Sequence, residues 1–255
     1  MNLKFLQVNF FKGKYWDDLL DFIKQENADI ISMQEVSSGQ INFFNDKNID
    51  LFELIKELTG YYGVFHTDVE IVDDPKALFG NAIFSKWPIL SSGVIALNIF
   101  RPLTLDEFNH DDRVWAEMSR HMLDATIDIG GRKIHGISVH GRRVAPPRDD
   151  EENMRQAKLM AEHLKSLGDE PFILGGDFNM PLESEVIKIV SAVSNNLMTN
   201  SGVRQTLNPK VHELGEKGYL VDFIFTSKHF KKISLDVPQV TVSDHLPVVA
   251  ILELD

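Results

Sequence analysis

The chain has 255 residues, and its 26 Lys and Arg against 38 Asp and Glu give a formal net charge of −12. This charge excludes a basic nucleic-acid coat protein, and the absence of Cys excludes disulfides, zinc-thiolate sites and thiol nucleophiles. Hydrophobic residues make up 43% of the chain, which is enough for a large core, and the length allows one domain or two.

The first ten residues, MNLKFLQVNF, predict neither export nor membrane anchoring. The apolar stretch is interrupted by Lys4, Gln7 and Asn9, and no small-residue cleavage site follows it. Nowhere does the chain reach the roughly 18 consecutive apolar residues that cross a bilayer. We therefore expect a cytoplasmic protein without a membrane span.

A strand, a helix and a second strand are predicted at the start of the chain. Residues 3–10 alternate and then become continuously apolar, as a buried strand does. An amphipathic helix follows the acidic pair Asp17-Asp18, with its apolar stripe at Leu19, Leu20, Phe22 and Ile23. Residues 28–33 form the next apolar strand, which ends in Gln34-Glu35.

The same alternation returns in the second half of the chain. Residues 133–139 and 172–174 are predicted strands on either side of a helix. The apolar stripe of that helix is Ala157, Met160, Ala161, Leu164 and Leu167. Further strand-like segments are 81–84, 94–97, 114–129, 220–225 and 247–254. This order indicates a mixed-sheet sandwich with helices, and nothing in the composition marks a domain boundary.

Polar side chains with useful chemistry cluster at the ends of these strands. They are Asn9, Glu35, His140, Asp177, Asn179, Asp222, Asp244 and His245. Each has an ordinary structural explanation when taken alone: Gly-Gly-Asp is a common strand exit, and a lone histidine is often a core residue. Together they predict a site, because ligands bind at strand ends and Asp222 within an apolar strand needs a partner.

These residues resemble the motifs of the endonuclease/exonuclease/phosphatase superfamily, in the deoxyribonuclease-like branch. The matching segments, in family order, are Asn9, Gln34-Glu35, Gly80-Asn81-Ala82-Ile83 with Trp87-Pro88-Ile89, His140, Gly176-Asp177-Phe178-Asn179, Asp222 and Ser243-Asp244-His245. The resemblance implies one domain over residues 1–255. It also implies an α+β fold, a four-layer αββα sandwich of two packed mixed sheets flanked by helices.

The resemblance further implies a divalent cation, Mg²⁺ or Mn²⁺. Glu35 is the expected metal ligand, Asp244 a second one, and Asn9 orients the metal or the phosphate. Oxygen ligands of this kind suit both ions, which neutralise charge on phosphate oxygens during hydrolysis.

Five catalytic residues follow from the same resemblance and from phosphoester chemistry. Asp177 positions or deprotonates the attacking water, and Asn179 is a neutral donor to the phosphate. Asp222 fixes the ring of His245 and raises its pKa, so that a cationic imidazole meets the phosphoryl oxygen. His140 is expected against the scissile phosphate as a donor or general acid.

Arginine residues are the candidates for binding the rest of the substrate. Arg142, Arg143 and Arg148 follow His140 closely, and the structural alternative is that they form surface ion pairs or are solvated. Arg113, at the start of the predicted strand 114–129, resembles a phosphate-contacting arginine of the family. Residues 98–112 are predicted to be a long loop near the site that selects the substrate. Trp16 and Phe43-Phe44 are taken as core residues.

The sequence thus predicts metal-dependent phosphoester hydrolysis by in-line attack of an activated water, with a phosphodiester favoured over a monoester. One alternative is an abasic-site or single-strand DNA nuclease, which the net charge disfavours, as does Val36-Ser37 after Gln34-Glu35. The other is a non-catalytic scaffold of the same fold. The class of the phosphoester and the oligomeric state stay open.

Overall fold

The computed structural model describes residues 1–39 and 50–255, and these form two six-stranded sheets with helices. The strands are β1 (Asn2–Asn9), β2 (Ile30–Ser38), β3 (Tyr62–Glu70), β4 (Leu78–Ser85), β5 (Ile89–Asn98), β6 (Arg120–Ile129), β7 (Arg132–His140), β8 (Phe172–Asp177), β9 (Asn195–Asn196), β10 (Asp222–Thr226), β11 (Phe230–Asp236) and β12 (Val248–Leu254). The helices are α1 (Trp16–Glu26), α2 (Leu51–Thr59), α3 (Leu105–His110), α4 (Asp112–Glu117), α5 (Glu151–Ser166) and α6 (Glu185–Ser191).

Both sheets are mixed. The first has the strand order β11-β12-β1-β2-β4-β3, and the second has the order β5-β6-β7-β8-β10-β9. Within the first sheet β1 and β2 are parallel, and within the second β7 and β8 are parallel. The hydroxyl of Ser32 on β2 donates to the carbonyl of Gly175 on β8 at 3.0 Å, which shows that the parallel pairs face each other.

Side-chain alternation along β1 explains the four layers. Leu3 and Phe5 pack into the core that also holds residues of the second sheet and of α5. Leu6 and Val8 point the other way, into a cluster with the apolar stripe of α1 and with α2. Because successive residues of a strand face opposite sides, one strand serves both layers. The predicted α+β sandwich of two mixed sheets flanked by helices is confirmed.

The prediction of a strand over residues 114–129 is wrong at its beginning. Residues Asp112–Glu117 form α4, and β6 begins only at Arg120. The side chain of Asp111 accepts a hydrogen bond from the backbone N–H of Arg113 and so caps the helix. Val114 and the partly buried Trp115 then pack into a small separate cluster, where a short apolar run fits a helix as well as a strand.

The segment 98–112 is also not a continuous loop, since it contains α3. Thr104 and Glu107 form a capping box at the start of this helix, and Phe108 is buried beneath it. Trp16 packs against the cluster around α1, as predicted, whereas Phe43 and Phe44 lie outside the described residues.

Among residues 1–39 and 50–255, no helix combines the length and the apolar character needed to cross a membrane.

Candidate active site

Polar residues from several strands meet at one edge of the sandwich. The parallel pairs β1–β2 and β7–β8 place their carboxyl ends at this edge, so Asn9 and Asp177 come together from different sheets. The Asn9 side-chain amide donates to Asp177 Oδ2 at 3.2 Å. Asp222, the first residue of β10, lies opposite Asp177 in the antiparallel ladder. The predicted convergence of strand ends is therefore a feature of the fold.

Glu35 reaches the site because β2 is irregular there. Met33 and Val36 pair with Ala82 and Gly80 of β4, so β2 carries one extra residue between these two pairs. Glu35 has a φ of 56°, a left-handed conformation that costs a non-glycine residue about 1–3 kcal/mol. A bulge of this kind redirects a side chain, and here it turns a carboxylate toward the site.

The carboxylate of Glu35 is buried, and one of its two oxygens has no hydrogen-bond partner among the described residues. Its Oε1 atom lies 4.0 Å from His140 Nε2, and its Oε2 atom has no hydrogen-bond partner among the described residues. An unpartnered buried carboxylate oxygen is costly unless a cation or a donor joins it.

Asp177 is the centre of the cluster. One carboxylate oxygen, Oδ1, accepts the backbone N–H of Asn179 at 2.9 Å. The other, Oδ2, lies 3.6 Å from the Nε2 atoms of both His140 and His245. Burial raises the pKa of Asp177 to about 7, with repulsion from Asp222 adding to the effect and His245 opposing it. Burial thus makes this carboxylate a stronger base than an ordinary aspartate.

His245 is held as a cation by the carboxylates around it. Its Nδ1 atom bonds Asp222 Oδ2 at 2.8 Å. Burial lowers the pKa of His245, but Asp222 and Asp177 outweigh it and raise that pKa well above the ordinary value. The Asp222–His245 pair has the geometry that the sequence predicted.

His140 has the opposite environment. The guanidinium of Arg120, fully buried, donates from Nη1 to His140 Nδ1 at 2.9 Å. Burial lowers the pKa of His140 well below the ordinary value, and Arg120 lowers it further. Because a guanidinium can only donate, Nδ1 is the acceptor and the proton of the neutral ring sits on Nε2. His140 therefore presents a neutral N–H toward Asp177 and Glu35.

These side chains line a cleft of about 160 Å³. Its walls are Phe11, Lys12, Glu35, Asn109, Trp115, His140, Arg143, Asp177, Asn179, His212, Asp244 and His245. Asn9 and Asp222 stand one hydrogen bond behind this lining, on Asp177 and His245 respectively.

A model of the Endonuclease/Exonuclease/phosphatase family matches residues 8–245 of the sequence, so the match spans all of the cluster just described. The chain belongs to this family. Members of the family are generally metal-dependent phosphoester hydrolases. No curated protein sequence matches the chain.

Solved structures of the family share the fold over the whole chain. A Bacteroides vulgatus family protein has a TM-score of 0.76 at 20% identity, with 100% of both chains covered. The Bacteroides thetaiotaomicron mannosyl-6-phosphatase Bt3783 has a TM-score of 0.73 at 17% identity, covering 99% of this chain and 100% of its own. The human Nocturnin catalytic domain has a TM-score of 0.72 at 18% identity, covering 100% of this chain and 95% of its own. Such identities establish the common fold and leave the substrate open.

The residues of the cleft fit the divalent cation that the family generally uses. Glu35 offers its unpartnered oxygen, and Asp244 lies near enough that Glu35 contributes to its raised pKa. Burial is the main cause that raises the pKa of Asp244 to about 6. Buried carboxylates with raised pKa values gain most from a neighbouring cation, and hard oxygen donors suit Mg²⁺ or Mn²⁺.

Two groups in the described chain bring three possible ligand atoms within 4.8 Å of one another, and both include His245. They are Asp177 with Asp222 and His245, and His212 with Asp244 and His245. His245 is a poor metal ligand in this state because a protonated imidazole has no free lone pair. The carboxylates are the better ligands.

Two of the predicted substrate arginines lie away from the cleft lining. Arg113 is exposed in the first turn of α4, where its guanidinium pairs with Asp111 at 2.7 Å. Arg142 donates to the Ala116 carbonyl at 2.7 Å and to Asp150 at 2.5 Å, so it ties the segment after β7 to α4 and to the start of α5. Arg143 does line the cleft, next to Glu213, with which it forms an ion pair.

Several residues of the site have no signal in the sequence. Lys12 belongs to a left-handed turn, with a φ of 55°, that follows Asn9. Its ammonium lies 4.3 Å from the ring of Trp115, which the predicted strand would have placed differently. His212 and Arg120 match no motif, and their roles depend on contacts between distant segments. Among the sequence predictions, the loop over residues 98–112 was expected near the site, and Asn109 of this segment lines the cleft.

Proposed function

We propose that this protein hydrolyses a phosphodiester by in-line attack of a water molecule, with Mg²⁺ or Mn²⁺ as cofactor. One observation supports this most directly: the buried carboxylate of Asp177 lies 3.6 Å from two imidazoles in opposite protonation states. That arrangement offers a base and two different N–H donors at a single point, which phosphoester hydrolysis needs.

Glu35 and Asp244 are the residues that would hold the cation. When bound, the cation supplies electrostatic stabilisation to the charge on the phosphate oxygens. Asn9 is engaged at both ends of its amide, since Oδ1 accepts the Phe11 N–H at 2.9 Å and Nδ2 donates to Asp177. Its first role here is to orient Asp177, and its contact to the metal or the phosphate stays a prediction.

Asp177 is assigned as the base that receives a proton from the attacking water. A pKa of about 7 makes it an effective acceptor at neutral pH, whereas an ordinary aspartate would be too weak a base. The water oxygen then bonds to phosphorus as the ester bond breaks on the opposite face, and the departing alkoxide takes a proton from solvent water. The products are a phosphomonoester and an alcohol.

The two histidines are assigned to the phosphoryl oxygens. His245 would contribute a cationic N–H, because Asp222 and Asp177 keep its ring protonated. His140 would contribute a neutral N–H, whose direction Arg120 fixes. Asn179, whose amide donates to the Gly141 carbonyl at 3.2 Å, is held in place to offer its second N–H.

The charge around the cleft supports a diester over a monoester. Three carboxylates line it, Glu35, Asp177 and Asp244, and they oppose Lys12, Arg143 and protonated His245. A phosphodiester brings one negative charge, while a monoester brings nearly two at neutral pH. Because Arg143 is neutralised by Glu213, the lining with a bound divalent cation carries a net charge of about +1, which the single charge of a diester matches.

Cleavage of abasic or single-stranded DNA receives less support. A nucleic-acid groove tracks several phosphates with a series of cations. Among the residues that line the cleft, Lys12 and Arg143 are the Lys and Arg side chains, and Arg143 already pairs with Glu213.

The test compares bis(p-nitrophenyl) phosphate with p-nitrophenyl phosphate in Mg²⁺, in Mn²⁺ and in excess chelator. We expect metal-dependent hydrolysis with a higher kcat/KM for the diester, and incorporation of ¹⁸O from labelled water into the phosphoryl product. Asp177→Asn should reduce kcat by at least about 10² because it removes the base. Equal rates in chelator would contradict the metal assignment, and no hydrolysis of either ester would leave the scaffold alternative standing.

A further inference from the structure

A second cavity of about 360 Å³ opens beside the catalytic cleft. It is lined by Trp115, Ala116, Arg143, Val144, Ala145 and Glu213, and we call it the side cavity. Trp115 and Arg143 also line the cleft, so the two spaces share a wall. A substrate with its phosphate against His140 and His245 therefore has room for one of its alcohol groups in the side cavity.

The polar part of the side cavity is an ion pair. The Arg143 guanidinium binds the Glu213 carboxylate, so the pair offers both N–H donors and carboxylate acceptors while adding no net charge. Hydroxyl groups both donate and accept, and each hydroxyl of a sugar can therefore meet either member of the pair. A hydrocarbon chain would displace water from the pair and offer it no hydrogen bond, and a second phosphate would meet the carboxylate of Glu213.

The apolar part of the side cavity is packed against neighbouring side chains. The centroid of the Trp115 ring lies 5.3 Å from that of Phe108 and 6.1 Å from that of Phe79. The Nζ atom of Lys12 lies 4.3 Å from the same Trp115 centroid. The next residue, Ala116, is fixed through its carbonyl by Arg142. Val144 and Ala145 complete the apolar lining with smaller side chains. A preorganised wall of this kind binds the C–H surface of a compact ring without further ordering of side chains.

We propose that the side cavity binds a sugar, so that the substrate is a phosphodiester in which one alcohol is a neutral monosaccharide. This rests on the proposed phosphodiesterase function and specifies its substrate class. The cavity lies at the small end of the roughly 300–1,000 Å³ range of ligand pockets, which suits a single ring.

The experiment uses methyl phosphodiesters that differ in one alcohol only: hexose 6-(methyl phosphate), thymidine 5′-(methyl phosphate) and ethyl methyl phosphate. Hydrolysis by the 255-residue chain with Mg²⁺ is followed by ³¹P NMR. We expect kcat/KM for the hexose ester to exceed that of the other two by about tenfold or more, because the hexose brings several hydroxyls to the ion pair, the thymidine ester brings one and the ethyl ester brings none.

Glu213→Gln tests the cavity itself, since this exposed side chain can change without loss of folding. The substitution should reduce kcat/KM for the hexose ester about tenfold and should narrow its advantage over the ethyl ester. Glu253→Gln is the matched control: Glu253 also pairs with a basic residue, Lys231, but lies opposite Asn2 at the far end of β1. It should change neither value.

Equal rates for the hexose and ethyl esters, or a preference for the thymidine ester, would overturn the sugar assignment. So would a Glu213→Gln variant that keeps the full hexose preference. Failure of the proposed function looks different, because then bis(p-nitrophenyl) phosphate and all the methyl esters would remain uncleaved in Mg²⁺ and Mn²⁺.

Discussion

Each side of the cleft places a histidine at the same distance from one carboxylate oxygen of Asp177, but the pKa of one ring is raised and that of the other is lowered. His245 and His140 both lie 3.6 Å from Asp177 Oδ2. The Nδ1 atom of His245 bonds the carboxylate of Asp222, whereas the Nδ1 atom of His140 accepts a hydrogen bond from the guanidinium of Arg120. Burial alone would keep both rings neutral, and the largest opposing influence on His245 is Asp222 on its Nδ1 atom, to which Asp177 and Asp244 add. The fold can thus set two histidines to two tasks through the charged groups around each ring.

Loss of the Asp222 carboxylate, which bonds His245, should have the largest effect on kcat. Asp222→Asn removes the charge that keeps His245 protonated, and we expect kcat for bis(p-nitrophenyl) phosphate to fall about 10³-fold, within the usual range for acid–base groups. Steady-state kinetics with Mg²⁺ measure this change.

A matched control exists elsewhere in the chain. Asp124 bonds His135 Nδ1 at 2.8 Å, the same distance as in the Asp222–His245 pair, but it lies beneath α5, where it also bonds His163. Asp124→Asn should leave kcat unchanged. If both substitutions reduced kcat equally, the effect would be one of folding rather than of the charge on His245.

Removal of the Glu35 carboxylate, which lies near His140, should remove most of the cation binding. At about 100 times its Kd, Mg²⁺ should raise the free energy of unfolding of the wild type by about 2.7 kcal/mol, because it binds only the folded state. Glu35→Gln should lose most of this increase, since it neutralises the unpartnered carboxylate. Denaturant unfolding with and without Mg²⁺ provides the measurement, and an equal increase in the variant would place the cation elsewhere.

Arg120→Lys should have a smaller effect, because it keeps the charge and loses the planar fork. Without a fixed donor on Nδ1, His140 should populate both neutral tautomers, and kcat should fall about tenfold through poorer orientation. ¹⁵N NMR of labelled histidine reports the tautomer directly. Arg155→Lys, which alters an ion pair with Glu152 on α5, is the control. An unchanged Nε2–H tautomer in Arg120→Lys would contradict the role of Arg120.

Arg120 also marks the limit of what the sequence predicts. Strand ends could be read from apolar runs, and the residues at those ends, such as His140 and Asp177, converge because the parallel strands β7 and β8 share an edge. Arg120 lies at the start of a strand, and only the pairing of β6 with β7 brings it to His140. The bulge that turns Glu35 and the left-handed turn at Lys12 depend on tertiary contacts that local propensity does not encode.

The smallest expected effect is on the pH dependence of stability, and it concerns His135, which lies outside the cleft and bonds Asp124 through Nδ1. A hydrogen bond from Asp124 is the main cause that raises the pKa of His135 above its ordinary 6.5, so this contact stabilises the fold fully below about pH 6.5 and is lost as pH rises through the folded-state value. Burial raises the pKa of Asp124, but its two histidine partners outweigh burial and lower that pKa below the ordinary value of 3.8. The stabilisation that depends on the Asp124 charge is therefore lost only as pH falls below about 3.8.

The free energy of unfolding should therefore differ most between wild type and Asp124→Asn near pH 5.5, by about 1 kcal/mol, and the difference should shrink toward pH 8. Urea unfolding at both pH values measures it. A difference that grows toward pH 8 would mean that the carboxylate acts by something other than charging His135, and the contrast drawn between Asp222 and Arg120 would lose its independent support.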